Sequence, residues 1–350
     1  MDGSIGRMEM TVKSLDEATM RLWDNFVTEH PEGTFFHRAG WKRVIERTFR
    51  HECHYLYAES AGSIIGVLPL VHVKSRLFGN SLVSTGFTVG GGPLVLRPEA
   101  LARLEDGAID LADRLKVDFI EYRVRNPVHD DWTVKPNLYV GFRREIDANP
   151  EKNLAEIPRK QRAMVRKGIK AGLESRVDTD TETVHRIYAI SVRNLGTPVF
   201  PRSLFDNLRE EFGDDIDIVT ITNDGEPVAS VLNFYFRDQV LPYYGGGTLG
   251  ARKVAGNDFM YWEVMRRAGE RGYKIFDFGR SKVGTGAFSF KKNWGFEPEP
   301  WTYEFKLCRI DDIPDINPLN PKYRMFINAW KRLPVPIANI IGPHIVRGLG

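Results

Sequence analysis

The hydrophobic and polar positions of this 350-residue chain predict helices and strands that alternate along its length. Near the start, Ser14 and Glu17 have the spacing of a capping box, and an apolar face of helical period follows them. We therefore predict that the chain opens with a helix and that a second helix runs from about Ala39 to Phe49. The apolar face of the first helix consists of Leu15, Ala18, Leu22 and Phe26.

Two β-hairpins are indicated further along the chain. In each of them, two runs rich in β-forming residues flank a short turn that contains glycine. The predicted strands and turns are 53–59, 61–62 and 63–73 in the first hairpin, and 216–222, 223–226 and 227–236 in the second.

The elements after each hairpin come in the same order: a strand, a run of glycines, a helix and another strand. The turn glycines Gly62 and Gly225 are 163 residues apart, and the strand acids Glu121 and Asp277 are 156 apart. This order predicts an α/β (α+β) chain with two duplicated halves, 1–150 and 151–310. The repeated elements are Gly90–Gly92, Pro98–Leu115 and Asp118–Val124, then Gly245–Gly247, Asp258–Arg271 and Tyr273–Phe278.

The remainder, residues 311–350, is a basic tail that prolines interrupt, so we expect it to wrap a surface. From Lys322 to Arg347 it contains no acid, and Trp330 and several isoleucines lie among its cations. That composition suits a segment at a membrane interface. Packing across the protein is the alternative, which the prolines favour.

Composition narrows the class of protein. Hydrophobic residues make up 42% and charged residues 27%, as in soluble globular proteins, and a net charge of +3 is too small to imply nucleic acid. Two cysteines, Cys53 and Cys308, suggest buried thiols in a reducing compartment. No apolar run approaches the length of a membrane span, and the first ten residues lack a signal peptide's apolar region. These features predict a cytoplasmic protein.

The segment with the most chemistry follows the last predicted strand of the second half. Asp277, Arg280 and Ser281 enter a loop with glycine, and Lys291 and Lys292 come soon after, beside aromatic residues. An acid, a cation and a hydroxyl near a core are costly unless they pair or react. The pattern therefore indicates either a reactive site or an ion pair that holds a loop.

A second strong feature is a basic helix predicted at Pro158 to Lys170. Its cations share one side without an acid among them, whereas smaller and apolar residues take the other side. A solvated helix face and a binding site for a polyanion are both consistent with this pattern. The cations are Arg159, Lys160, Arg162, Arg166, Lys167 and Lys170, and the other side has Met164, Val165, Gly168 and Ala171.

These motifs together resemble those of the FemAB-type acyltransferases, which are related to the GNAT fold. The resemblance covers nearly the whole chain, and more narrowly it is to the FemAB-like branch associated with exosortase (PEP-CTERM) and exopolysaccharide systems. The segments that carry it are Tyr243–Gly247, Asp277–Ser281 and Phe290–Gly295, with Gly33–Phe36, Gly40–Trp41 and Gly66–Leu70 in the first half.

The resemblance implies two tandem GNAT-like halves, with the active site in the second. It implies transfer of an acyl or aminoacyl group to an amine or hydroxyl of a cell-envelope, peptidoglycan-type or exopolysaccharide precursor. The donor would be aminoacyl-tRNA or acyl-CoA, with no tightly bound cofactor. Implied partners are a phosphorylated sugar or peptidoglycan-type precursor and tRNA. Separately, the composition of the tail suggests contact with an anionic membrane surface, which would bring the protein to the inner face of the membrane.

The site residues follow from this reaction class. Lys291 or Lys292 would stabilise the oxyanion, with family resemblance favouring Lys291, and Asp277 would orient Arg280 or accept a proton. Ser281 would hydrogen-bond either partner, and Glu121 with Arg123 would complete the site from the first half. Substrate binding is assigned to Arg159, Arg162, Arg166, Tyr244 and Asn257 as well.

Because the two lysines lie in a segment predicted to be extended, we expect one to face the site and the other to face solvent. Phe290 and Trp294 would shield the reacting centre from water. One alanine substitution should then cut turnover about 100- to 1000-fold at an unchanged melting temperature, and the other should be nearly silent.

Two alternatives remain. The first is an ordinary acyl-CoA GNAT N-acyltransferase, because Lys253 and Gly256 fit its pyrophosphate loop. Against it, Asp258 replaces a small residue there, where a carboxylate would repel phosphate and better cap the helix. The second alternative is a catalytically silent GNAT-like module in a polysaccharide synthesis complex. We predict no metal site, because the histidines near Cys53 lack a spaced ligand pair.

Overall fold

The computed structural model describes residues 10–76, 78–313 and 321–350, except for the side chains of residues 136, 137 and 321–324. Its contacts divide the chain into two compact units. Unit 1 comprises Met1–Lys135, Thr302–Pro314 and Gly348–Gly350, and unit 2 comprises Pro136–Trp301 and Asp315–Arg347. Residues 139–145, which precede the sequence-based boundary at residue 150, pair with a strand at residues 275–282 and belong to unit 2.

Unit 1 is a mixed sheet with helices. In its sheet the strand order is β1-β2-β3-β4-β6, and residues 302–307 pair with β6 while β5 pairs with β3. Its elements are β1 (Met10–Ser14), α1 (Met20–Glu29), α2 (Gly40–Phe49), β2 (Glu52–Ser60), β3 (Ser63–Ser75), β4 (Gly79–Ser84), β5 (Leu94–Val95), α3 (Pro98–Leu115) and β6 (Phe119–Val124).

Unit 2 holds most of the next strand and the elements that follow. They are β7 (Thr133–Glu145), α4 (Pro150–Glu156), α5 (Arg159–Lys170), β8 (Glu174–Asp178), α6 (Thr181–Leu195), α7 (Arg202–Phe212), β9 (Ile216–Asn223), β10 (Glu226–Phe236), β11 (Gln239–Gly247), α8 (Leu249–Lys253), α9 (Gly256–Glu270), β12 (Ile275–Lys282), α10 (Gly286–Asn293), β13 (Pro298–Leu307, its second half in unit 1), α11 (Pro321–Trp330) and α12 (Val335–Val346). The strand order of its sheet is β7-β12-β11-β10-β9-β8.

The predicted fold class, α/β with two similar halves, is confirmed. Each unit has an antiparallel hairpin, then a strand that pairs in parallel with the strand after a long helix. Parallel neighbours need such a crossover, which α3 and α9 provide. Both hairpin turns place two residues at positive φ, Ala61 with Gly62 and Asp224 with Gly225, as type I′ turns require.

The start of unit 1 corrects the first sequence-based prediction. Ser14 ends strand β1, which pairs with the edge of β2, and the first helix begins only at Met20. The polar residues form a turn between them, in which the amide of Thr19 donates to the Asp16 carboxylate over 2.9 Å. The expectation of two buried thiols was also wrong, because Cys53 is buried and Cys308 is exposed.

The tail, which was predicted to wrap a surface, contains two helices that belong to unit 2. Trp330 is buried and its indole donates to the carbonyl of Thr197 over 3.1 Å. In α12, Gly342 lies so close to Val199 that a Cβ at this position would be 2.8 Å from the Val199 amide nitrogen. In the parts of the chain that the structure describes, no helix combines the length and the apolar character that crossing a bilayer requires.

Candidate functional site

A gap between two parallel strands is the main irregularity of the sheet in unit 2. Strands β11 and β12 pair only at Gln239 with Ile275 and at Val240 with Phe276. Both strands continue well beyond that point, yet no further residues pair across them in the described chain. Buried backbone groups require hydrogen-bond partners, so the edges that face the gap are suited to an extended ligand.

Strand β11 has a bulge where the gap opens. Leu232 of β10 lies opposite Tyr244, and Asn233 opposite Pro242, so that Tyr243 has no residue opposite it on β10. A bulge of this kind leaves the extra residue out of the ladder and redirects its groups. Sequence reasoning missed this position, although Pro242 within a strand was a signal for a bulge.

Strand β12 is also bulged at the same level. Asp277 pairs with Arg143 and Arg280 with Gly141, so Phe278 and Gly279 together face one residue of β7. Gly279 has a φ of +64°, which favours glycine, and its amide donates to the buried Asp277 carboxylate over 2.7 Å. A Cβ on Gly279 would lie 3.9 Å from the Tyr243 ring, which brings the two bulges together.

Lys291 holds the bulge of β12. Its ammonium group donates to three backbone carbonyls, those of Phe278 at 2.6 Å, Gly279 at 3.2 Å and Arg280 at 2.8 Å. Burial lowers the pKa of Lys291 to about 7, although the Asp277 carboxylate acts to raise it. Lys291 is therefore a buried amine beside the gap that can exchange a proton near neutral pH.

The segment with the two lysines is the helix α10, so the prediction of an extended segment was wrong. Thr285 caps this helix by accepting from the amide of Phe288 over 3.3 Å. Lys292 is exposed because neighbouring helical positions point about 100° apart, not because side chains alternate. Because Lys291 donates three hydrogen bonds to carbonyls, we now expect a Lys291 variant to be less stable than the wild type, whereas the sequence predicted an unchanged melting temperature.

The remaining predicted catalytic residues lie on β12 beyond the bulge. The Arg280 guanidinium stacks on the Tyr139 ring, 4.4 Å from its centre. Ser281 is buried, and its hydroxyl has no hydrogen-bond partner among the described residues. The Tyr244 hydroxyl, on β11, is likewise buried without such a partner, within a cluster of aromatic rings. Strands β12 and β11 thus each carry a buried hydroxyl without a hydrogen-bond partner among the described residues.

Asp258 connects the basic helix to the lysine helix. Its buried carboxylate accepts from the Gln161 amide of α5, and from the Trp294 indole, directly after α10, at 3.3 Å. Burial raises the pKa of Asp258. The predicted capping role is therefore corrected, since this carboxylate is held by side chains from two other elements. Trp294 is fully buried and packs against Phe278 and Phe290.

The basic helix exists as predicted, and it begins at Arg159. Gln161, Val165 and Gly168 face inward, and Gly168 lies against Phe259 of α9, where a Cβ would come within 2.7 Å of the phenylalanine Cβ. Its outer side borders an open depression. The residues that line this depression are Arg159, Arg162, Ala163, Arg166, Lys167 and Lys170.

Asn257 lies in the first turn of α9, next to the end of β11. A Cβ on Gly247 would be 2.2 Å from the Asn257 side-chain oxygen, so glycine is required there for the close approach. That oxygen is buried and has no hydrogen-bond partner among the described residues. Asn257 therefore offers an acceptor at the end of the strand that borders the gap.

Glu121 and Arg123 belong to unit 1, where they form a buried pair with each other at 2.6 Å. The Arg123 guanidinium also donates to the carbonyls of Thr88 and Gly350, and the Arg123 carbonyl accepts from the Gly91 amide. This pair thus contributes to the packing of unit 1, where other residues of unit 1 bond to Arg123 next to β4 and β6.

One group of side chains in unit 1 has the composition of a metal site. Glu52, His54 and His72 each have a ligand atom, and these atoms lie within 4.8 Å of one another. His72 also contacts the Asn80 side chain at 2.6 Å. Sequence reasoning missed this group because the hairpin of β2 and β3 brings His72 opposite Glu52.

The comparisons with known proteins agree with this architecture. Residues 159–292 match the family described as Acetyltransferase (GNAT) domain. This chain has the fold of tandem GNAT proteins. Because the match spans less than half of the chain, and no curated protein sequence matches it, the comparisons give the fold and leave the substrate open.

Three similar structures illustrate the likeness. FemX has a TM-score of 0.65 at 16% identity, over 90% of this chain and 100% of its own. A tandem GNAT protein from the clavulanic acid biosynthesis pathway has a TM-score of 0.55 at 15% identity, over 87% of this chain and 100% of its own. The third is the C-terminal domain (DUF2156) of a protein from Agrobacterium fabrum that is named as a lysylphosphatidylglycerol synthetase. It has a TM-score of 0.51 at 13% identity, over 82% of this chain and 91% of its own.

Proposed function

We propose that this protein transfers an acyl or aminoacyl group to an amine or hydroxyl of a cell-envelope or exopolysaccharide precursor. The observation that carries the proposal is the gap between β11 and β12, with a bulge on each strand and a half-buried lysine beside it. The FemX-like fold and the GNAT match support the reaction class. The exosortase-associated branch stays part of this proposal.

The donor would lie as an extended chain in the gap, alongside the part of β11 that does not pair with β12. Its carbonyl would lie at the level of the bulge at Tyr243, and the transfer requires stabilisation of the oxyanion that forms there. Such a donor is held close to its acceptor, which supplies much of the rate enhancement in transfer reactions.

The reaction has a simple balance of bonds and protons. The acceptor nitrogen or oxygen attacks the donor carbonyl carbon and loses one proton, and the bond from that carbon to the donor's sulfur or ribose oxygen breaks. The leaving group takes up one proton. Lys291, with a pKa of about 7, can relay a proton near neutral pH, and Asp277 lies at the same bulge as a second acceptor.

The basic helix α5 would bind the phosphates of the precursor or of tRNA. Its cations line one open depression, and Gln161 connects the helix to Asp258 and thus to the end of α10. FemX and the synthetase-named domain share the fold, which makes an envelope precursor the favoured acceptor. A cytoplasmic location fits because both candidate donors occur there.

An acyl-CoA donor is the second candidate, and one observation favours it. The Asp258 carboxyl is buried and engaged by Gln161 and Trp294, and burial raises its pKa. Its charge is therefore a weaker obstacle to a pyrophosphate at the start of α9 than the sequence predicted. A catalytically silent binding module would keep the basic helix but make no use of Lys291.

The test is a transfer assay with two labelled donors, aminoacyl-tRNA and acetyl-CoA, and a nucleotide-linked muropeptide as acceptor. We expect label to pass from one donor to the acceptor and Lys291→Met to slow this step. Binding of precursor without transfer from either donor would instead support the silent module. Transfer from acetyl-CoA alone would establish the second candidate.

A further inference from the structure

Helix α12 is apolar on both of its sides. Ala338, Gly342 and Val346 are buried at positions four residues apart and face unit 2. On the other side, Ile340 is 69% exposed, and Ile337 and Ile341 are 43% and 41% exposed. A helix that is hydrophobic all round is normally enclosed, so an exposed apolar side indicates a missing partner.

The exposed isoleucines cannot simply turn inward, because the tail is fixed to unit 2 before the helix and within it. Before it, the Arg193 guanidinium donates to the carbonyl of Lys331 over 3.1 Å, and the Trp330 indole is bonded to Thr197. Within it, Gly342 fits against the backbone of Val199. The apolar side is thus a rigid feature of the folded unit.

The surroundings of this side carry positive charge. The sequence has no Asp or Glu from residue 316 to residue 350. Lys331 and Arg332 precede the helix, Arg347 follows it, and all three are exposed. Isoleucines between cations suit the boundary of an anionic bilayer, where apolar side chains enter the acyl region and cations meet headgroups.

We propose that the side of α12 formed by Ile337, Ile340 and Ile341 docks on an anionic lipid bilayer. Charge complementarity favours lipid over a second copy of the chain, since two copies would bring the same cations together. The inference is independent of the proposed transfer reaction, because it concerns only the tail and unit 2 beneath it. A lipid surface would, however, bring the protein to a lipid-linked acceptor.

The test is co-sedimentation of the full chain with phosphatidylcholine vesicles, with and without phosphatidylglycerol. We expect binding only with phosphatidylglycerol. The triple variant Ile337→Ser, Ile340→Ser and Ile341→Ser should lower the partition coefficient at least roughly tenfold, and Lys331→Gln with Arg332→Gln should lower it less and flatten the salt dependence.

A matched control replaces three exposed apolar residues elsewhere with serine, Leu22, Leu96 and Val177, and should bind vesicles like the wild type. Thermal unfolding checks that each variant is folded. Equal binding by the wild type and the isoleucine triple variant would overturn the proposal. The proposal would also be overturned if light scattering showed a concentration-dependent dimer of the wild type that the triple variant does not form, and if the wild type bound neither kind of vesicle.

Discussion

Lys291 is the residue whose substitution gives the most information. We compare Lys291→Met, which keeps most of the apolar length of the side chain, with Lys292→Met on the same helix. Lys291 gives three hydrogen bonds to carbonyls in the β12 bulge, whereas Lys292 is exposed. The first variant should lose both stability and turnover, and the second should lose neither.

The loss of stability follows from two opposing terms. A hydrogen bond from a charged donor contributes about 1.5–3 kcal/mol, so three contribute roughly 4–9 kcal/mol. Burial opposes them, since the fall in the pKa of Lys291 from 10.5 to about 7 corresponds to about 5 kcal/mol against the charged form. The difference between the two terms ranges from about zero to about 4 kcal/mol, and its midpoint of about 2 kcal/mol corresponds to a loss of roughly 4–8 °C in melting temperature for a unit of this size.

The same pKa gives a pH dependence. The folded pKa of Lys291 is below the unfolded value, so between pH 7 and about 10.5 the unfolded chain binds more protons. The free energy of unfolding of the wild type should therefore rise with pH in this window relative to that of Lys291→Met. Denaturant unfolding at several pH values measures this, and a parallel pair of curves would contradict the buried position of the amine.

Turnover is the second readout. If Lys291 acts on the reacting groups, Lys291→Met should lower turnover by about 100- to 1000-fold in material that is fully folded at the assay temperature. Full activity with a lower melting temperature would show that Lys291 only supports the bulge. A clear rise in the melting temperature of Lys291→Met would contradict a net stabilising role of the three hydrogen bonds.

Three other predictions concern the basic helix, Asp258 and the tail helix α12. Replacing Arg159, Arg162 and Arg166 with alanine should weaken binding of tRNA or phosphorylated precursor and reduce the salt dependence of that binding. The free energy of unfolding should change by less than about 0.5 kcal/mol. Binding titrations at two salt concentrations test this against a control in which Arg21, Arg103 and Arg114 are replaced. Asp258→Ala should lower the free energy of unfolding by about 2–4 kcal/mol because the Gln161 and Trp294 side chains lose their buried acceptor. Asp258→Asn should lower it less because an acceptor oxygen remains. Equal losses for the two variants in chemical unfolding would refute that reason. Gly342→Val should lower the free energy of unfolding by more than about 1 kcal/mol because the new Cβ meets the Val199 backbone. Gly286→Ala, where the added Cβ points into open space, should leave stability nearly unchanged. Thermal unfolding compares the two variants, and a Gly342→Val variant as stable as the wild type would contradict the packing of α12.

Local signals in the sequence were sufficient for the hairpins and the crossover helices. Asp224-Gly225 and Ala61-Gly62 supply the positive φ angles that type I′ turns need, and the helix Pro98–Leu115 was predicted with the bounds it has. These elements depend on residues close in sequence. The prediction at Ser14 failed because a capping-box spacing also fits the turn between a strand and a helix.

The candidate site was only partly predictable. Asp277, Ser281 and Lys291 were recognised by residue type, but the gap depends on where two strands far apart in sequence cease to pair. Helix α10 was missed because the alternation of Phe288 and Phe290 was assigned a strand period, although Thr285 is a helix cap. The link through Asp258 joins three elements and has no local signal.

The most direct test of the account is whether a donor occupies the gap between β11 and β12. Hydrogen exchange of the backbone amides of residues 241, 243–247 and 277–281 would be followed with and without donor, using aminoacyl-tRNA and acetyl-CoA in turn. We predict that the effective donor slows exchange in both segments together, and that uncharged tRNA slows exchange only in α5. Transfer activity with unchanged exchange in both strands, or protection confined to unit 1, would contradict the assignment of this gap as the donor site.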